Sequence, residues 1–246
     1  MNLLIIGVTS SLFSTVLPKL SKNITIHTII RNRDDLNEKQ QKWRTFLKSN
    51  TVEFTDINKI DLCIYMSSVD DIEILQSLET QNIPILLIGS GAVIDWKHGR
   101  IPMNSYIEGK LRALMFATTT IHPGFYLPNA QTQDVGSGLH VDTIRKIFGD
   151  YDSTFNYEKS KYITSMDLLS DFIIQWIQHP YLYTGKQFAF GTPFAMSRMQ
   201  IRENNTIEHE RLYEDEMSYT FKVSGLKHKN ITDMIEDARK WYKINK

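Results

Sequence analysis

Short, continuous apolar runs, each followed by a longer stretch with helical spacing, constrain this chain more than any other feature. "NLLIIG" (2–7), "ITIHTIIR" (24–31), "DLCIYM" (61–66), "IPILLIGSG" (83–91) and "TTTIHPG" (118–124) read as strands, and "VEFTD" (52–56) as a shorter one. Their side chains are apolar at nearly every position, as strands covered on both faces require. Between them, "SSLFSTVLPKLSKN" has serines for an N-cap and a Pro18 that bends or shortens a helix. "DDLNEKQQKWRTFLKSN" offers Leu36, Trp43 and Leu47 as a buried stripe, and helices are expected again over 68–82 and 104–114.

Strands alternating with helices at this interval predict βαβ units, an α/β fold with a doubly wound parallel sheet. Right-handed crossovers then gather the loops after each strand along one edge, where ligands bind. Gly7, Arg31, Asp56, Ser67 and Ser90 fall at those strand ends. After residue 124 the pattern weakens to helices at 141–150, 165–180 and 231–243 and a strand at 186–191. The expected organisation is a core over 1–135 and a small lobe over 136–246, packed on the carboxyl edge and folded with the core as one unit.

Composition excludes several functions. The 28 basic and 28 acidic residues cancel without a like-charge block, so no footprint for nucleic acid or an anionic membrane is present. The longest apolar stretch, "IPILLIGSGAVI", falls short of the ~20 residues that cross a bilayer. The lone cysteine, Cys63, lies in an apolar run and fits a reducing compartment, and no basic leader precedes "NLLIIG". A cytoplasmic protein is expected. Histidines and carboxylates lack metal-ligand spacing, so no metal is assigned.

Tyr106 and Lys110 stand four apart in "NSYIEGKLRAL" and would share a helix face. Tyr157/Lys161 and Tyr242/Lys246 have the same spacing, so spacing alone identifies nothing. Position separates them: only Tyr106/Lys110 lies between a serine-bearing strand end and the next core strand. The pair is either catalytic or an ordinary surface pair. A lysine ammonium one turn from a phenol lowers the phenol's pKa from ~10 and favours proton exchange near neutrality.

Taken in order, "LLIIGVTSSLF", "RNRDDL", "TDI" (55–57), "LLIGSGAV", "SYIEGK", "TTIHPGFYLPN", "YITSMDLLSDFI" and "NITDMIEDARKWYK" resemble the short-chain dehydrogenase/reductase superfamily. The likeness is to its extended branch of nucleotide-sugar epimerases, dehydratases and reductases, and it implies a Rossmann-like fold. It also implies Tyr106, Lys110 and Ser90 as catalytic residues, with Lys110 also at the nicotinamide ribose. Cofactor contacts would come from Gly7, Thr9, Ser10, Ser11 and Leu12, from Asp56, Ile57 and Ser67, and from His122, Pro123 and Gly124. Tyr126 and Asn129 either line the substrate cleft or are turn residues beside Pro128. Related proteins pair through the Tyr106 helix. With Leu111, Leu114, Met115 and Phe116 on that helix, a homodimer is expected, or these residues face the sheet.

The chain departs from the family's pattern at three places. Ser10 and Phe13 stand where the phosphate loop carries its second and third glycines, and His122 replaces an arginine. The loop either binds a dinucleotide at the helix N-terminus or is degenerate. Arg31 and Arg33 follow the second strand, where an acidic residue would favour NAD. A guanidinium suits a 2′-phosphate, so NADP is expected, with NAD as the alternative; otherwise these are solvated charges. The expected function is an NADP-dependent reductase or epimerase acting on a sugar carbonyl, nucleotide-linked. The alternatives are a non-catalytic dinucleotide sensor or scaffold, or an oxidoreductase of a lipid or small metabolite.

Overall fold

The computed structural model describes residues 1–30, 34–67, 71–136, 139–192, 194–205, 214–227 and 229–246. The alternating segment resolves into β1 (Asn2–Ile6), α1 (Ser11–Val16), β2 (Thr25–Thr28), α2 (Glu38–Asn50), β3 (Val52–Glu53), β4 (Leu62–Tyr65), α3 (Ile72–Thr80), β5 (Ile85–Ile88), α4 (Gly91–Lys97), α5 (Ser105–Leu114) and β6 (Thr119–Pro123). Then follow β7 (Phe125–Leu127), α6 (Leu139–Phe148), β8 (Ser160–Lys161), β9 (Ile163–Ser165), α7 (Met166–Gln178), β10 (Lys186–Phe190), β11 (Met196–Ser197), α8 (Arg198–Glu203), α9 (Glu214–Ser224) and α10 (Ile231–Asn245).

Seven strands form one sheet in the order β10-β6-β5-β4-β1-β2-β3, every pairing parallel. This is the doubly wound α/β arrangement that the sequence predicts, and its order reverses between β1 and β4. The unbroken apolar runs have a direct cause. Leu3, Ile5, Ile64, Leu86 and Ile88 share one core with residues of α1, α2 and α7. Their neighbours Leu4, Ile6, Cys63, Tyr65, Ile85 and Leu87 share another with residues of α3 and α5. Alternate residues serve opposite faces, so both parities must be apolar.

Pro18 shortens the first helix as expected. α1 stops at Val16 and passes into a 3-10 turn over Leu17–Lys19. Residues 186–190, expected in the lobe, instead form the outer strand of the sheet, where Phe188 pairs with Ile121 of β6. The reason is burial: Phe188 and Phe190 each lie 5.1 Å from Phe172 of α7, closing that face of the sheet. Residues 166–190 therefore belong to the sheet layer. The remaining lobe has its own core, with Phe125, Leu127, Ile144, Ile163, Met196 and Trp241.

Candidate active site

The topological switch point brings β1 and β4 together at their carboxyl ends. Gly7 there has φ +91, and a Cβ on it would stand 2.8 Å from the Ser67 nitrogen. Glycine is required on both counts. Ser10 then caps α1, its hydroxyl accepting from the Phe13 amide at 3.3 Å. Phe13 itself is fully buried in the core shared with α7, so its ring points away from the loop.

Ser90 ends β5 and caps α4 by accepting from the Ala92 amide at 3.2 Å. The same hydroxyl keeps a proton to donate. Asn104 starts α5 by accepting from the Ile107 amide at 3.1 Å, which sets Tyr106 and Lys110 one turn apart. Tyr106 is 45% exposed, whereas Lys110 is buried, its ammonium donating to the carbonyls of Ser67 at 2.9 Å and Ile88 at 3.0 Å. That ammonium lies 5.9 Å from the centre of the Tyr106 ring and 6.0 Å from that of Tyr65. Burial pushes its pKa down to about 8.

A cleft of about 330 Å³ opens above these groups at the carboxyl edge of the sheet. Ser10, Leu12, Ser90, Tyr106, Lys110, Pro123, Gly124 and Tyr126 all line it, drawn from four separate stretches of sequence. Gly124 allows the lobe to come close: a Cβ there would collide with the Tyr162 carbonyl, which accepts from the Phe125 amide. The phenol of Tyr126 is held above its usual range by burial and by the neighbouring Tyr106.

Other expected residues stand away from this cleft. The Asp56 carboxylate caps the short turn at Ile57–Lys59, accepting from the Asn58 amide at 3.0 Å, and Ile57 packs against the core shared with α3 and α5. Thr9 is exposed and Ser11 is buried. Ser67 contributes its carbonyl to Lys110. His122 is buried; its Nδ1 lies 3.2 Å from the Ser90 carbonyl, and its ring borders a separate pocket beside β10 and α9. Asn129 is buried, its side chain engaged within its own turn. Arg31 and Arg33, on which the cofactor choice rests, lie outside the described residues.

The lobe wall of the cleft was not legible in the sequence. His140 and Thr143 of α6, with Lys159, Lys161, Tyr162 and Arg198, complete it. No motif marks His140 or Arg198; they arrive through the packing of α6 and α8 on β7 and β9. Of the apolar residues at the end of α5 and just past it, Leu114 and Phe116 pack on the sheet core, while Met115 is 78% exposed.

No family model matches the sequence, and no curated protein matches it. Solved structures do. UDP-glucose 4-epimerase from Bifidobacterium longum, in complex with NAD+ and UDP, superposes with a TM-score of 0.69 at 13% identity, over 100% of this chain and 99% of that one. UDP-glucuronic acid 4-epimerase from Bacillus cereus, with UDP-glucuronic acid and NAD, gives 0.66 at 13% identity and covers both chains fully. Yeast methylglyoxal/isovaleraldehyde reductase complexed with NADPH gives 0.69 at 12% identity, over 100% and 99%. The chain shares its fold with these epimerases and this reductase.

Proposed function

We propose that this protein is an NADP-dependent oxidoreductase of the short-chain dehydrogenase/reductase type, reducing or epimerising through the carbonyl of a nucleotide-linked sugar. One observation carries the reading: Ser90, Tyr106 and Lys110, sixteen and four residues apart, line a single cleft at the carboxyl edge of the sheet. Gly7 opens the turn from β1 into α1 at the switch point of the sheet, the place where folds of this kind pass a dinucleotide. When bound, the nicotinamide supplies or accepts hydride. Ser90 donates a hydrogen bond to the substrate oxygen, and the Tyr106 hydroxyl delivers the proton that oxygen needs. Lys110 favours the phenolate left behind, its position fixed by two carbonyls.

Arg31 and Arg33, just beyond β2, support the 2′-phosphate of NADP. The nucleotide-sugar substrate draws support from the epimerases that share the fold. Met103 and Met115, 40% and 78% exposed at the two ends of α5, support a homodimer through that helix. Among the described residues no helix is long and apolar enough to cross a membrane; a cytoplasmic location belongs to the same proposal.

The test combines calorimetric titration of NADPH and NADH with turnover on a panel of keto-sugars, free and UDP-linked. Tyr106→Phe is expected to keep cofactor affinity and lose ~10²–10⁴-fold in turnover. Arg31→Ala should weaken NADPH more than NADH; equal losses would overturn the phosphate selectivity. Binding of neither cofactor overturns the whole reading, and binding without turnover of any carbonyl leaves the sensor in its place.

A further inference from the structure

A second pocket, of about 450 Å³, lies across α4 from the cleft. The helix presents opposite faces to the two: Ala92 and Asp95 line the cleft, while Ile94, Lys97 and His98 line the pocket. No described residue lines both. Its size suits one small molecule. The far wall is aromatic. Phe188 of β10 and Tyr219 of α9 lie within 19° of parallel, with ring centroids 6.2 Å apart. Asp215 and Glu216 of α9 set two carboxylates against the single ammonium of Lys97 among the described lining residues. The Glu216 carboxylate lies 3.0 Å from His98 Nε2, which joins α9 to the end of α4.

His122 gives the pocket its chemistry. The side chain is 4% exposed, and its Nδ1 lies 3.2 Å from the Ser90 carbonyl. A carbonyl only accepts, so Nδ1 carries the proton. Burial first, then Lys97, push the pKa down to about 4 against the opposing pull of Gln187 and the Ser90 carbonyl. The ring is therefore neutral near pH 7, and Nε2 holds a bare lone pair. That atom is buried and has no hydrogen-bond partner among the described residues. Gln187 borders the ring, but its Oε1 is itself an acceptor, taken by Lys97 at 3.3 Å, and would pair only with a protonated imidazole. With Nδ1 turned to Ser90, Nε2 is on the side of Lys97 and Gln187, both of which line the pocket. Buried acceptors without a donor are uncommon. An arginine here, as in the resembling family, has no lone pair to offer, so this feature belongs to the present chain.

We propose that this pocket is a second small-molecule site, for a flat heteroaromatic ring of neutral or positive charge that donates one N–H to His122 Nε2. The aromatic wall of Phe188 and Tyr219 and the apolar side chains of Ile94 and Ala189 take the ring. The two carboxylates of α9 disfavour an anion. The site goes beyond the enzymatic reading and does not depend on it. It does touch the cleft: one imidazole accepts the ligand and holds the Ser90 carbonyl.

The test is calorimetric titration of the full-length protein at pH 7.5 with indole, 1-methylindole, tryptamine and indole-3-acetate. Indole and tryptamine are expected to bind. 1-Methylindole, the same ring system without its N–H, should bind ~10-fold or more weakly, and indole-3-acetate more weakly than tryptamine. His122→Phe should weaken indole to the level of 1-methylindole and leave 1-methylindole unchanged. Tyr219→Ser, a change at a half-exposed ring, should weaken indole ~3-fold or more. Tyr106→Ala, in the cleft, should change neither. Thermal melts identify a His122 variant that fails to fold; the comparison of indole with 1-methylindole needs no variant, and Tyr219→Ser leaves the buried ring in place. No binding of indole, equal affinity for 1-methylindole, tighter binding of indole-3-acetate than of tryptamine, wild-type affinity in a folded His122→Phe or in Tyr219→Ser, or a loss in Tyr106→Ala overturns the site. Indole binding by a protein that turns over no carbonyl leaves this site standing and the enzymatic reading fallen; turnover without indole binding does the reverse.

Discussion

The Lys110 ammonium donates to the Ser67 carbonyl at 2.9 Å, so the charge beside the Tyr106 ring is tethered to the end of β4 as well as to its own helix. The second bond, to Ile88, ties it to β5. A side chain with four rotatable carbons thereby behaves as a fixed charge at the switch point, which is what tuning a phenol requires.

That burial gives stability and activity opposite dependence on pH. The folded pKa of Lys110 is about 8, below the value near ~10.4 of a free lysine, so between them the unfolded chain binds more protons. Its contribution to stability rises with pH across this window, while the charge available to Tyr106 disappears. Turnover is expected to fall above pH 8 as the wild-type protein gains stability relative to Lys110→Met. Urea denaturation of both proteins at pH 7.5 and 9.5, beside a pH–rate profile, measures it; a rate unchanged from pH 7.5 to 9.5 contradicts the role given to Lys110.

Phe13 occupies a position where the resembling family carries glycine, yet restoring glycine should harm this protein. The ring is fully buried in the core shared with α7, and α1 and α7 make extensive contact. Removing it leaves a cavity, and large aromatic truncations in cores cost ~3–5 kcal/mol, with glycine in a helix adding ~1 kcal/mol. Phe13→Gly is expected to lose at least ~3 kcal/mol in urea denaturation. A variant as stable as the wild type would mean the core closes over the gap.

Much of this arrangement could be read in the sequence, because it follows from local chemistry. Strands apolar at both parities have to be covered twice, and Ser90, Tyr106 and Lys110 keep their spacing relative to strand ends. Pro18 ended its helix where a missing N–H must. What escaped depends on long-range contact. The segment around Phe188 reads as a short strand anywhere; only the open edge of β6 and the underside of α7 make it the seventh strand of the sheet. His140 and Arg198 carry no motif, and nothing local tells that α6 and α8 face the cleft. Asn129 was open to two readings because Asn beside Pro suits a turn and a binding site equally.

The geometry around Asn129 separates those two readings. Its side-chain oxygen accepts from the Gln131 amide at 2.8 Å, the Thr132 amide at 3.0 Å and the Thr132 hydroxyl at 3.2 Å. Thr132 in turn accepts from the Trp241 indole at 2.7 Å through its carbonyl and meets Thr15 of α1 at 3.2 Å through its hydroxyl. The turn is thus a joint between α1 and α10, with Asn129 and Thr132 buried, away from the cleft. Asn129→Ala leaves the buried Thr132 amide without an acceptor, at ~1–3 kcal/mol. Stability should fall by that amount, Asn129→Asp should recover most of it, and KM for any carbonyl substrate should stay within about twofold. Denaturation curves alongside steady-state kinetics decide it: a tenfold rise in KM at wild-type stability would return Asn129 to the substrate.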